Sequence, residues 1–117
     1  MTGSKKGFLQ HKRIMIHNTR RFDRIELVDE VYFESNHQEI LARWTDICLL
    51  GIFVQTMDPL PTGEQVKLRL KVGTDNKFYR AVGVVRHSLK WVGMGLEFTH
   101  LHPGARQTIE NLASVKL

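Results

Sequence analysis

The chain has 117 residues, 42% of them hydrophobic, with a single cysteine and a net charge of +5. That is enough for one packed domain and too little for a second core. One cysteine excludes an intramolecular disulfide, no apolar run approaches the roughly 20 residues of a membrane-spanning helix, and the basic balance favours anionic partners without choosing among them.

Residues 1–19 are polar and basic, with Lys5, Lys6, Lys12 and Arg13 around a small apolar knot, Ile14-Met15-Ile16. No period is sustained here, so the segment reads as a flexible basic arm ahead of a domain spanning 20–117. It has positive charges but no apolar stretch long enough for a signal peptide. Together with a thiol-only composition this points to a cytoplasmic protein without membrane insertion.

From Ile25 the pattern changes to period two. Ile25, Leu27, Val31 and Phe33 share one face, and Glu26, Glu30 and Glu34 lie largely on the other, as in a half-buried strand. Ser35-Asn36-His37-Gln38 is turn-prone. A second strand is expected over about 39–48, and a third begins at Gly51-Ile52-Phe53-Val54-Gln55. Pro59, Pro61 and Gly63 mark the clearest loop.

Val66, Leu68, Leu70 and Val72 then alternate with Lys67, Arg69 and Lys71, which predicts a fourth strand with its cations outward. Gly73-Thr74-Asp75-Asn76 turns the chain into a fifth strand over 77–87, where Gly83 suggests a bulge or a close-packing point. A sixth follows, with Val92, Met94, Leu96 and Phe98 on one face. After Pro103 the period becomes helical, at Ala105, Ile109, Leu112 and Ala113. The expected fold is all-β: six antiparallel strands forming a closed or nearly closed barrel, with a C-terminal α-helix over an open side or end.

Two stretches carry candidate chemistry. Arg20-Arg21-Phe22-Asp23-Arg24 places three guanidinium groups within five residues. Each offers a rigid fork of donors suited to phosphates and to the paired O6 and N7 acceptors of guanine, and each can stack on an aromatic face. Asp46-Ile47-Cys48-Leu49-Leu50-Gly51 supplies a carboxylate, a thiol and a glycine. Asp46 and Cys48 lie two apart, so in a strand they share a side and hint at a common polar pocket. A tryptophan in a strand more often belongs to the core, and Trp44, which has the same parity, is read first as core and second as a flank of that pocket. Trp91 has the opposite parity to its apolar neighbours and is expected to be partly exposed. His100-x-His102 is the only close histidine pair, and no cluster supports a metal site. No nucleophile, acid–base constellation or Walker-type loop emerges, so an enzyme is not expected.

The pair of motifs resembles those of the PilZ family, whose members bind the bacterial second messenger cyclic di-GMP. That family carries Arg-x-x-x-Arg in an N-terminal arm and, twenty to thirty residues later, Asp or Asn followed by x-Ser-x-x-Gly. Arg20 and Arg24 match the first motif; Asp46 and Gly51 match the ends of the second. Ile52-Phe53-Val54, the Pro59–Gly63 loop, Gly93-x-Gly95-Leu96-x-Phe98 and the terminal helix are also similar, so the resemblance spans about residues 20–113.

The resemblance implies a ligand, cyclic di-GMP, and no other cofactor. Arg20 and Arg24 would hold phosphates and guanine edges, with Arg21 assisting. Asp46 would accept from guanine N–H groups, Cys48 would line the pocket, and Gly51 would let the ligand lie against the backbone. Closure of the arm over the ligand would then signal to a downstream protein, of a motility, pilus or biofilm system. The departure is Cys48, where the family usually has serine. A thiol is a weak donor, and the loss of a neutral hydrogen bond is worth on the order of 1 kcal/mol. Two alternatives remain: an adaptor of the same fold that has lost the ligand, and a small basic barrel binding nucleic acid through Lys67, Arg69 and Lys71. DNA is not the expected partner.

Overall fold

The computed structural model describes residues 29–115. Six strands occur in this span: β1 (Asp29–Ser35), β2 (Gln38–Ile47), β3 (Gly51–Gln55), β4 (Gln65–Lys71), β5 (Phe78–Leu89) and β6 (Gly93–Leu101), followed by helix α1 (Pro103–Val115). Every neighbouring pair is antiparallel, and the order β1-β2-β3-β6-β5-β4 closes through β1 against β4. Closure leaves no edge strand with unpaired backbone groups. The expected six-stranded antiparallel barrel with a C-terminal helix is therefore the observed fold.

Alternation explains the walls. Val66, Leu68, Leu70 and Val72 are buried, while Lys67 is exposed and Arg69 and Lys71 are half-buried. The inward side chains of all six strands form one cluster with Ala105 and Ile109 of α1. Trp44 sits in that cluster, and its Nε1–H donates to the Lys71 carbonyl at 2.8 Å, so the indole is buried without an unpaired donor.

The connections have local causes. Asn36 and His37 both take positive φ, 52° and 65°, the backbone of the two-residue hairpin turn whose twist suits antiparallel strands. Gly83 lies where the β5–β6 register shifts, so it is the bulge suggested by its place in a strand. His102 caps α1: its Nδ1 accepts from the Gly104 N–H at 2.8 Å, satisfying one of the donors a helix start leaves open. Ala105, Ile109 and Ala113 then repeat at intervals of four on the buried face.

Antiparallel succession gives the barrel two distinct ends. One carries the β1–β2, β3–β4 and β5–β6 connections. The other carries the β2–β3 and β4–β5 connections, the start of β1 and the passage from β6 into α1.

Candidate functional site

Asp46 near the end of β2, Cys48 in the β2–β3 connection and Gly51 at the start of β3 lie together at the end of the barrel where β1 begins. A bulge precedes them. Trp44 pairs with Val54, but Asp46 pairs with Phe53, so one extra residue is accommodated at Thr45. Such a bulge reverses which side chains face inward beyond it. Trp44 and Ile47 both enter the core, and Asp46 is half-buried outside it. Of the two readings of Trp44, core residue or flank of the pocket, the structure shows the first: the parity it shares with Asp46 is broken at the bulge, and its indole lies in the core.

Cys48 lies one residue past β2, in a tight turn rather than in a strand. Its N–H donates to the Gly51 carbonyl at 3.0 Å, and its Sγ accepts from the Leu50 N–H at 3.4 Å. The second contact is the side-chain-to-backbone bond by which serine and threonine stabilise turns, made here by sulfur. Leu50 in turn accepts from the Phe98 N–H at 2.8 Å, which ties the turn to β6.

Gly51 has a structural reason that does not involve a ligand. It pairs with Glu97, and a Cβ at this position would run into the backbone oxygen of Leu96. The strand β6 therefore comes too close for any side chain there.

Arg20, Arg21 and Arg24 lie outside the described residues, as do Ile25 and Leu27 of the expected first strand. The register still bears on where that segment enters. Asp29, the first residue of β1, pairs with Trp44, two residues before Asp46. The five residues from Arg24 to Asp29 can reach at most about 17 Å.

Charge is distributed unevenly. Residues 29–115 contain nine Lys and Arg against ten Asp and Glu, whereas residues 1–28 contain seven cations against two acids. The net charge of +5 therefore belongs to the N-terminal segment, together with Lys116.

The outward cations of β4 are largely matched. Arg69 makes a forked contact with Glu39 at 2.7 and 2.8 Å and lies 4.6 Å over the Tyr32 ring. The hydrogen bond from Arg69 holds the Glu39 carboxyl below its ordinary pKa. Lys71 lies 3.9 Å from Glu30. A stripe neutralised in this way is a poor track for phosphates, which need uncompensated cations.

Sequence reasoning overlooked two features of this rim. Leu50 is exposed at the tip of the turn, and Thr45 carries the bulge. Neither residue type signals its role, because a bulge depends on the register of the partner strand.

A closed six-stranded barrel with an Asp-x-Cys-x-x-Gly sequence on the rim where β1 begins defines a small β-barrel module. The chain belongs to the PilZ domain family, which matches residues 18–114. Among solved structures it is similar to the one titled "Structure of Bacillus subtilis Inhibitor of motility (MotI/DgrA)", with a TM-score of 0.69 and 22% identity over 90% of this chain. The likeness establishes the fold, and the chain spans about half (53%) of that protein. No curated protein sequence matches the chain. Among the described residues, no helix is long and apolar enough to cross a membrane.

Proposed function

We propose that the chain is a non-enzymatic, cytoplasmic receptor for cyclic di-GMP, with residues 1–19 as a basic arm and 20–117 as the binding domain. The observation that carries this reading is the pairing of Asp29 with Trp44. It starts β1 beside the Asp46–Gly51 turn, and Arg24 is only five residues before that start in sequence, which supports a reading in which the two motifs meet on one ligand.

The chemistry follows from the residue types. Arg20 and Arg24 fork onto phosphates and guanine edges and stack on the bases, with Arg21 adding charge. Asp46, half-buried on the rim, accepts from guanine ring N–H groups. Cys48 lines the pocket, and the close packing at Gly51 keeps that part of the rim thin. A dianionic ligand is drawn to the N-terminal segment, because the positive charge resides there and the barrel itself is almost neutral. Folding of the arm onto the rim presents a new surface to a downstream protein, in the manner of an order–disorder switch.

Calorimetric titration with cyclic di-GMP tests this. Binding is expected, and Arg20→Ala or Arg24→Ala should each weaken it by about 2 kcal/mol, as loss of a charged hydrogen bond does. No heat with folded protein at tens of micromolar would leave the second reading, an adaptor of the same fold without the ligand. Cys48 is the observation that favours that alternative, since its sulfur is already engaged with Leu50.

A further inference from the structure

The end of the barrel opposite the Asp46–Gly51 turn is unusually apolar. Met57, Leu89, Trp91 and Val92 are 65%, 50%, 67% and 54% exposed. They are one patch, because the β5–β6 hairpin is bonded to the β3–β4 loop: the Trp91 N–H donates to the Met57 carbonyl at 3.0 Å, and the Thr56 N–H to the Val92 carbonyl at 3.3 Å. Trp91 is also held in an unfavourable backbone conformation. The Val92 N–H donates to the Leu89 carbonyl, which makes Trp91 the third residue of a four-residue turn, with φ at 73°. That position ordinarily takes glycine. A bulky residue there is an outlier, and strain of this kind concentrates at functional surfaces. The chain therefore accepts two separate costs, strain and exposure, to present an indole at this tip.

We infer that this tip is a self-association surface, and that its occupant is the same tip of a second copy of the chain, related by a two-fold axis. A two-fold interface places each residue type against its complement and the complement against it. This patch holds both members of two complementary pairs. Met57 offers a thioether, and Trp91 offers a ring edge that favours sulfur. Lys90 and Asp58 rim the patch, 3.2 Å apart and both well exposed, so they can exchange partners across the axis. Lys90 also lies 5.2 Å over the Trp91 ring, which keeps the cation next to the apolar centre.

Charge favours a second copy over an anionic surface. Residues 29–115 are near neutrality and Lys90 and Asp58 offset each other at this tip, so it neither attracts a polyanion nor repels another barrel. β1 begins at the far end, so a tip-to-tip pair does not cover the point where the positive N-terminal sequence joins the barrel. It also leaves both Asp46–Gly51 rims facing outward. Four exposed apolar side chains fall short of the roughly 800 Å² per partner of a stable interface, so the dimer is weak and grows with concentration.

Sedimentation velocity from about 10 µM to 1 mM, a range that reports weak pairing, tests the inference. The unmodified chain should shift from monomer toward dimer. Trp91→Gly suits the positive φ, so it should fold with an undiminished melting temperature and stay monomeric. Lys90→Asp and Asp58→Lys should each lose association, because each places like charges across the axis. Their equimolar mixture should regain it, because each partner then supplies the charge the other lacks. A chain monomeric throughout, a Trp91→Gly variant that associates like the parent, or a mixture that stays monomeric would overturn the inference. So would a monomer that instead pelleted with phosphatidylglycerol vesicles in a Trp91-dependent way. Cyclic di-GMP titration of Trp91→Gly is a separate readout: its failure bears on ligand binding and leaves the association result unchanged.

Discussion

Trp44 and Ile47 both point into the barrel although three positions separate them, and both are essentially inaccessible to solvent, at 1% and 0% exposure. The bulge at Thr45 makes this possible, and Asp46 is set on the rim as a result. A core tryptophan and a candidate ligand-binding carboxylate are thus two residues apart in sequence and on different sides of the wall.

Trp44→Phe should destabilise the domain without touching the rim. It removes the Nε1–H that satisfies the Lys71 carbonyl and leaves a small void. Loss of a buried partner costs about 2 kcal/mol. Urea denaturation should show a lower midpoint at an unchanged slope, with ligand affinity retained.

Gly51→Ala separates packing from recognition. The added methyl meets the Leu96 backbone oxygen, which cannot rotate away as a side chain could. Overpacking of this kind costs about 2 kcal/mol. A lower melting temperature in the absence of any ligand is expected. An unchanged melt with abolished binding would assign Gly51 to the ligand alone.

Cys48→Ser should keep the turn, because a hydroxyl accepts from the Leu50 N–H as the sulfur does. A hydroxyl is also a stronger donor than a thiol. Cyclic di-GMP affinity should rise by up to about tenfold, the equivalent of one neutral hydrogen bond. Equal affinity by calorimetry would mean that this side chain serves the turn only.

Stability should fall on both sides of neutrality through one pair. The Tyr79 hydroxyl donates to Asp75 at 2.8 Å and lowers the Asp75 pKa, with the Lys77 N–H adding to the effect. The same bond raises the Tyr79 pKa. A lowered carboxyl pKa contributes stability above its unfolded value and loses it as pH falls through the folded one. A raised phenol pKa contributes below its unfolded value and loses it as pH rises through the folded one. Stability should therefore decline in acid below the ordinary carboxylate range, about pH 4, and in alkali above about pH 10. Asp75 is exposed and Tyr79 only half-buried, so the slopes will be shallow. Tyr79→Phe should flatten both limbs, and Glu39→Gln only the acid limb, when urea midpoints are compared across pH.

Much of the barrel was legible because alternation is a local property. Val66, Leu68, Leu70 and Val72 announce an inward face whatever they pack against, and Ala105, Ile109 and Ala113 announce a helix. Parity at Asp46 was not legible, since it changes with one residue that the partner strand does not match. The sixth strand shows the same limit. Val92 continues the apolar alternation of Met94 and Leu96, yet it is exposed, because the β5–β6 turn ends only at Gly93. Trp91 is exposed as its parity suggested, and its positive φ came only with that turn.

Residue order by itself determined the number of strands, the terminal helix and the family, because period and motif spacing are written along one chain. Tertiary structure alone decided which strands stand side by side around the barrel, that Trp44 and Asp46 lie on opposite sides of its wall, and that an apolar tip stands at the far end. Those outcomes depend on which backbone lies beside which, and hydrogen-bond register between strands distant in sequence is a relation that no single segment carries.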